Sequence, residues 1–291
     1  MERLIAALVL VCAACLATGA ASADPIPVVA AENVYGDLAL QIGGPHVAVT
    51  SILSNPNQDP HLFEASISTA RKLAGAAIVL CNGVDYDPWM AKLLGASSAA
   101  GRTVIVAGDL LKRQSGVNPH LWYDPATMPM MAASLAAALE RRDPAHAGEY
   151  RMRLEAFRAS LRPLDAEIAA IRHAYPHVAV TATEPVFGYM AAALGFAMRN
   201  DGFQIAVMND TDPSPSQVAG FEHDLKTGAV RILYYNDQVT DDLTARLLGI
   251  ARAAHVPVVG VSETEPQGKT YQQWMTGALH ATEAALAGRA S

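Results

Sequence analysis

The chain has 291 residues, 51% of them hydrophobic and 17% charged, with a formal net charge of −7 and three cysteines. That length suffices for one large or two medium domains with a sizeable core. A mildly acidic balance without any Lys/Arg block argues against nucleic acid as a partner and suits a soluble exported protein.

The chain opens MERLIAALVLVCAACLATGAASA. A charged start at Arg3, an apolar run from Leu4 to about Leu16 and small residues ending Ala21-Ser22-Ala23 predict a secretory signal peptide over residues 1–23, cut before Asp24. The expected destination is the periplasm. The run is too short for a membrane span. Cys12 and Cys15 lie within it, but a Cys is a poor residue to precede a lipid-attachment site, so a lipid anchor is the less favoured reading. Cleavage leaves Cys81 as the one cysteine of the mature chain, which precludes an internal disulfide. It sits in the apolar run AAIVLCNG and is expected to be buried.

After the leader, the apolar runs IPVVAAE (26–32), HVAVTSIL (46–53), AAIVLCN (76–82) and TVIVAG (103–108) read as strands. LFEASISTARKLAG (62–75) and YDPWMAKLLG (86–95) between them carry helical spacing. Such alternation predicts a parallel sheet covered on both faces. PATMPMMAASLAAALERRDP closes this half with a helix. Residues 145–175 then read as one long helix, bent at Pro163 and spanning roughly 45 Å. The grammar restarts with HVAVTAT (177–183), VRILYYN (230–236) and VPVVGVS (256–262). Helices are expected at EPVFGYMAAALG and around 215–227, 240–254 and 270–287. The predicted organisation is therefore an N-terminal α/β lobe (24–143), a rigid linker helix (144–175) and a C-terminal α/β lobe (176–291), each lobe a parallel sheet flanked by helices. G-x-G-x-x-G, Walker A and G-x-S-x-G motifs are absent, as is C-x-x-C after the leader, which weakens dinucleotide, nucleotide, serine-hydrolase and thiol-redox readings.

Pro-His-Leu-aromatic occurs twice, in DPHLFE (59–64) and NPHLWY (118–123). Asp59 and Asn118 are good N-caps and Pro60 and Pro119 suit a first helical position, so His61 and His120 are expected in first helical turns. Ligands of open α/β sheets bind beyond the carboxyl ends of the strands. In the second half, the residues there are Glu184, after VTAT, and Glu263 and Glu265, after VVGVS. Two imidazoles from one lobe and two carboxylates from the other suit a divalent cation at the lobe interface. His46 and His177 open strands at the opposite end. These two, with His146, His173, His223, His255 and His280, are expected to be structural or solvated. Glu64, Asn236, Asp237 and Glu32 are candidates to orient the imidazoles.

These stretches resemble the metal-specific solute-binding proteins of bacterial ABC transporters. DPHLFE and NPHLWYDP are similar to that family's two His motifs. VTATEPVFGYM resembles the segment carrying its third ligand, and VPVVGVSETEPQGKTYQQWM the segment carrying its fourth. The resemblance implies two α/β lobes on one rigid helix, with His61, His120, Glu184 and either Glu263 or Glu265 as metal ligands. Glu263 is preferred because it comes straight off the strand. It also implies one divalent ion as cargo, and a membrane permease and separate ATPase as partners of a monomer. Zinc-delivering members often have His where this chain has Glu184, and a His-rich loop between the first two ligands. Both departures favour manganese, then zinc, with iron open. Neutral imidazoles are required, so affinity is expected to fall as pH drops through about 6.5.

A periplasmic metal-dependent hydrolase is the competing reading. Catalytic zinc keeps an open position beside three protein ligands, whereas four are offered here and no general base is evident, so no enzyme is expected. A surface adhesin on the same scaffold is a third reading.

Overall fold

The four apolar runs of the first half form the parallel strands β1 (Ile26–Glu32), β2 (Val47–Leu53), β3 (Ile78–Cys81) and β4 (Thr103–Val106), in the order β2-β1-β3-β4. The structure is a computed structural model describing residues 24–97, 99–239 and 241–288. The expected signal peptide lies outside the described residues. Helices α1 (Asn33–Gly43), α2 (Ile67–Ala74), α3 (Pro88–Ala96), the short α4 (Ala107–Leu110) and α5 (Thr127–Arg142) complete the first lobe. The β1 pattern, buried from Val28 to Glu32, is that of a strand covered on both faces.

The second lobe repeats the topology. Strands β5 (Ala179–Ala182), β6 (Ala197–Arg199), β7 (Leu233–Asn236) and β8 (Val258–Val261) are parallel in the order β6-β5-β7-β8. Around them lie α7 (Gly188–Ala193), α8 (Asp201–Met208), α9 (Pro215–Thr227), α10 (Asp242–Ala253) and α11 (Tyr271–Ala287). Between the lobes, α6 runs from Ala147 to Ala174, as the long helical pattern predicted, and continues through Pro163. Its buried residues Tyr150, Phe157, Leu161, Leu164, Ile168 and Ile171 recur every three to seven positions and make one stripe. Pro163 faces solvent.

The helix starts differ from expectation. Residues 60–62 form a single 3-10 turn, and α2 begins only at Ile67, where Ser66 caps the Thr69 amide and Thr69 caps back. His120 immediately precedes a 3-10 turn, Leu121–Tyr123. Neither His opens an α-helix.

One core cluster runs from β1 through α6 to α11, with a smaller one around Phe203, Phe221 and Leu247 beneath the outer helices of the second lobe. An aromatic seam joins the lobes: Tyr123 packs on Phe187 (5.3 Å between ring centroids) and Trp274 (5.5 Å), and Phe187 stacks on Tyr234 (4.4 Å). Cys81 is buried, as expected. No helix among the described residues is long and apolar enough to cross a membrane.

Candidate metal centre

The carboxyl ends of β2, β4, β5 and β8 lead into His61, His120, Glu184 and Glu263 respectively. The Asp59 side chain accepts the His61 amide at 2.8 Å and fixes the first turn. Asn118 does more for the second, because its Oδ1 accepts the His120 amide at 3.1 Å and lies 2.7 Å from His120 Nδ1. With the Nδ1 proton donated to Asn118, the Nε2 lone pair is presented to the centre.

Both Nε2 atoms converge on one oxygen. Glu263 Oε2 lies 3.1 Å from His120 Nε2 and 3.2 Å from His61 Nε2, and accepts the Tyr86 hydroxyl at 3.0 Å. The buried His61 Nε2 has this carboxylate as its near neighbour. His61, His120 and Glu263 each offer a ligand atom, all within 4.8 Å of one another. Glu184 stands beside this group. The Asn236 side-chain amide donates to Glu184 and, at 2.8 Å, to Glu263 Oε1, so it holds both carboxylates. The Gln238 side chain fixes the loop by accepting the amides of Glu263 and Thr264 at 2.6 and 2.9 Å.

Glu265 turns elsewhere. Its amide and carbonyl are clasped by the Asn33 side chain at 3.0 and 2.7 Å, linking the second lobe to α1. Burial, then the charge of Asp37, pushes its carboxyl up to about 9.

Burial and neighbouring charge oppose one another across the site. Burial alone would raise the Glu263 carboxyl, yet His120 and His61 hold it well below the ordinary range. Burial would lower the His61 ring, but Glu263, Glu184 and Asp59 push it up to about 9. The fully enclosed His120 ring is lowered by its burial. Burial and the nearby Glu263 push Glu184 up to about 8. His61 is the exposed member, its side chain 19% accessible against none for His120 and Glu263. It borders an interlobe cleft of about 520 Å³ whose lining includes Asp85, Asn118, Asp201 and Gln204.

Of the expected orienting residues, Asn236 is in place, though it holds the carboxylates and not the imidazoles. Glu64 is exposed. Asp237 lies against Gly260. Glu32 is buried near Asp87, and neither of its carboxyl oxygens has a hydrogen-bond partner. Tyr86, Asn118 and Gln238 were missed. The Asn before Pro-His was itself the available signal for Asn118, whereas Tyr86 reaches Glu263 only through the tertiary fold.

The family described as zinc-uptake complex component A, periplasmic, matches residues 28–285. The chain is 27% identical over 254 residues to the manganese-binding lipoprotein MntA of Bacillus subtilis (strain 168), covering 83% of this chain and 81% of that one. It is 28% identical over 183 residues to the iron-binding protein YfeA of Yersinia pestis, covering 60% and 58%. Its fold is similar to that of the periplasmic zinc-binding protein TroA of Treponema pallidum, with a TM-score of 0.76 at 19% identity over 90% of this chain and 99% of that one. With the family matched across nearly all of both lobes and the linker helix, the chain belongs to the periplasmic component A family of zinc-uptake complexes, the metal-binding solute-binding proteins of ABC transporters.

Proposed function

We propose that the chain is exported through its leader, captures one divalent transition metal between its lobes as a monomer, and delivers it to an ABC permease driven by a separate ATPase. The proposed ligands are His61 and His120 from the first lobe, and Glu184 and Glu263 from the second. The convergence of two imidazole Nε2 atoms on one buried carboxylate oxygen carries this reading, because a cation there could be shared by all three, displacing any protons they hold. Glu263 is favoured over Glu265 because its side chain meets both histidines, while the Glu265 backbone is held by Asn33 and its carboxyl feels the charge of Asp37, both on α1.

Manganese is the favoured cargo, zinc second, with iron open. Two carboxylates make the donor set hard, which suits Mn2+. The relatives are themselves named for manganese, iron and zinc. Intrinsic affinity rises from manganese toward copper, so tighter zinc binding would not by itself make zinc the cargo.

Chelator-buffered titration of the mature chain with Mn2+ and Zn2+ tests the site, alongside His61→Ala, Glu184→Ala, Glu263→Ala and Glu265→Ala. The expected result is one tight interlobe site lost in the first three variants and retained in the fourth. Unchanged binding in His61→Ala and Glu263→Ala would overturn the assignment.

A further inference from the structure

A second group of metal-ligating side chains lies at the other end of the first lobe. His46 ends the turn between α1 and β2, Asp143 and His146 lie in the turn joining α5 to α6, and Glu149 is in the first turn of α6. The two imidazoles stack with centroids 3.9 Å apart at 23°. Glu149 Oε2 lies 3.0 Å from His46 Nε2, and Asp143 Oδ2 lies 2.6 Å from His146 Nδ1. The buried Tyr150 donates its hydroxyl to the same Asp143 oxygen at 2.7 Å and sets its edge against the His46 ring. His46, Asp143 and His146 each offer a ligand atom, all within 4.8 Å of one another.

Glu149 sits against one nitrogen of His46 and leaves the other as a lone-pair donor, the arrangement by which carboxylates orient metal-ligating histidines, while His146 Nδ1 and Asp143 face each other as two donors that an ion could share. Asp143 and Glu149 thus bring two carboxylates to the pair of rings. The Arg153 guanidinium, which lies over Gly44 and acts on Glu149, offsets one of these charges. With neutral rings, a net negative charge remains to attract a cation. Two stacked imidazolium rings at this separation would repel, whereas a shared metal ion removes that conflict.

We propose that His46, Asp143 and His146 form a second divalent-metal site, suited to an imidazole-preferring ion such as Zn2+, which staples the α1–β2 turn to the start of α6. Two imidazoles and one carboxylate suit zinc, copper or nickel better than manganese. The site lies at the amino end of β2, away from the interlobe cleft, so an ion there is resident and not cargo. This proposal rests on no part of the transport reading.

Calorimetric titration with Zn2+ tests it in Glu263→Ala, which removes the interlobe centre, and in the same background with His46→Ala or His146→Ala. The expected result is one equivalent of Zn2+ bound by Glu263→Ala, with a rise in Tm, and loss of both effects in each double variant. Absence of Zn2+ binding in Glu263→Ala, or binding unchanged in both double variants, would overturn the proposal. If Glu263→Ala does not fold, the wild-type background serves: His46→Ala should lower the Zn2+ stoichiometry by one equivalent, and an unchanged stoichiometry counts against the site.

Discussion

Glu263 is the residue on which the interlobe centre turns. One of its oxygens meets His61, His120 and Tyr86, and the other takes the Asn236 amide. Tyr86 and Asn236 fix the direction of its lone pairs without contributing a ligand themselves. Tyr86→Phe and Asn236→Ala should therefore each weaken Mn2+ or Zn2+ binding by about 10–100-fold, measured by competition with a chelator, while circular dichroism stays unchanged. Protonation adds a second expectation. Metal binding must displace protons from His61, raised to about 9, and from Glu184, raised to about 8. Both shifts favour the protonated, metal-free form as pH falls. Apparent affinity should thus keep rising from pH 6 to 9, in place of levelling above the ordinary imidazole range; a plateau above pH 7 would contradict it. The candidate residues were legible in the sequence in two ways: His61 and His120 by the repeated Pro-His-Leu-aromatic motif, and Glu184 and the Glu263/Glu265 pair because they follow apolar runs at strand carboxyl ends. Which glutamate turns inward was not, since that depends on Gln238 and Asn33, which grip the loop from either side.

At the level of elements, α6 binds the architecture together, and its sequence announced it as a long charged stretch with no glycine after Gly148; the buried stripe along it is seen in the fold. Pro163 sits on its exposed face, where water can satisfy the Ala159 carbonyl that has lost its helical donor. A proline inside a helix costs about 3 kcal/mol relative to alanine. Pro163→Ala should raise stability by up to about that amount, read from denaturant unfolding, and leave metal affinity unchanged because the ligands lie on loops beyond the strand ends. The strands were legible within one to three residues wherever β-branched residues ran together, as in IPVVAAE. The edge strand β6 was missed: Ala-Met-Arg has no β-branched residue and only three positions, and is held by pairing with β5. The start of α2 was placed too early because Leu62 and Phe63 mimic a helical face. Leu62 is in fact 65% exposed, and the capping box at Ser66 decides the boundary.

At the scale of the whole molecule, the lobes are joined behind the centre as well as through α6. The Tyr123 hydroxyl donates to the Ser262 carbonyl at 2.9 Å, the Tyr271 hydroxyl to the Trp122 carbonyl at 3.0 Å, and Trp122, Tyr123, Phe187 and Tyr271 are almost wholly buried. A wide hinge would expose these rings to water, at roughly 25 cal/mol per Å² of apolar surface. Small-angle scattering from metal-free and metal-loaded protein should therefore give nearly the same radius of gyration; a large decrease on loading would rule this out. If the lobes move little, departure of the ion cannot wait for them to part. His61, the one accessible member of the convergent trio, borders the cleft while the others are sealed. It is the ligand that can swing away first, and an incoming donor can take its place before the remaining bonds break. Exchange would then proceed by substitution at one vertex, its rate proportional to the concentration of the competing donor. Of two chelators equal in affinity, the one slim enough to enter the cleft would strip the ion faster, so the residence time of the cargo would be set by the width of a doorway as much as by the strength of its bonds.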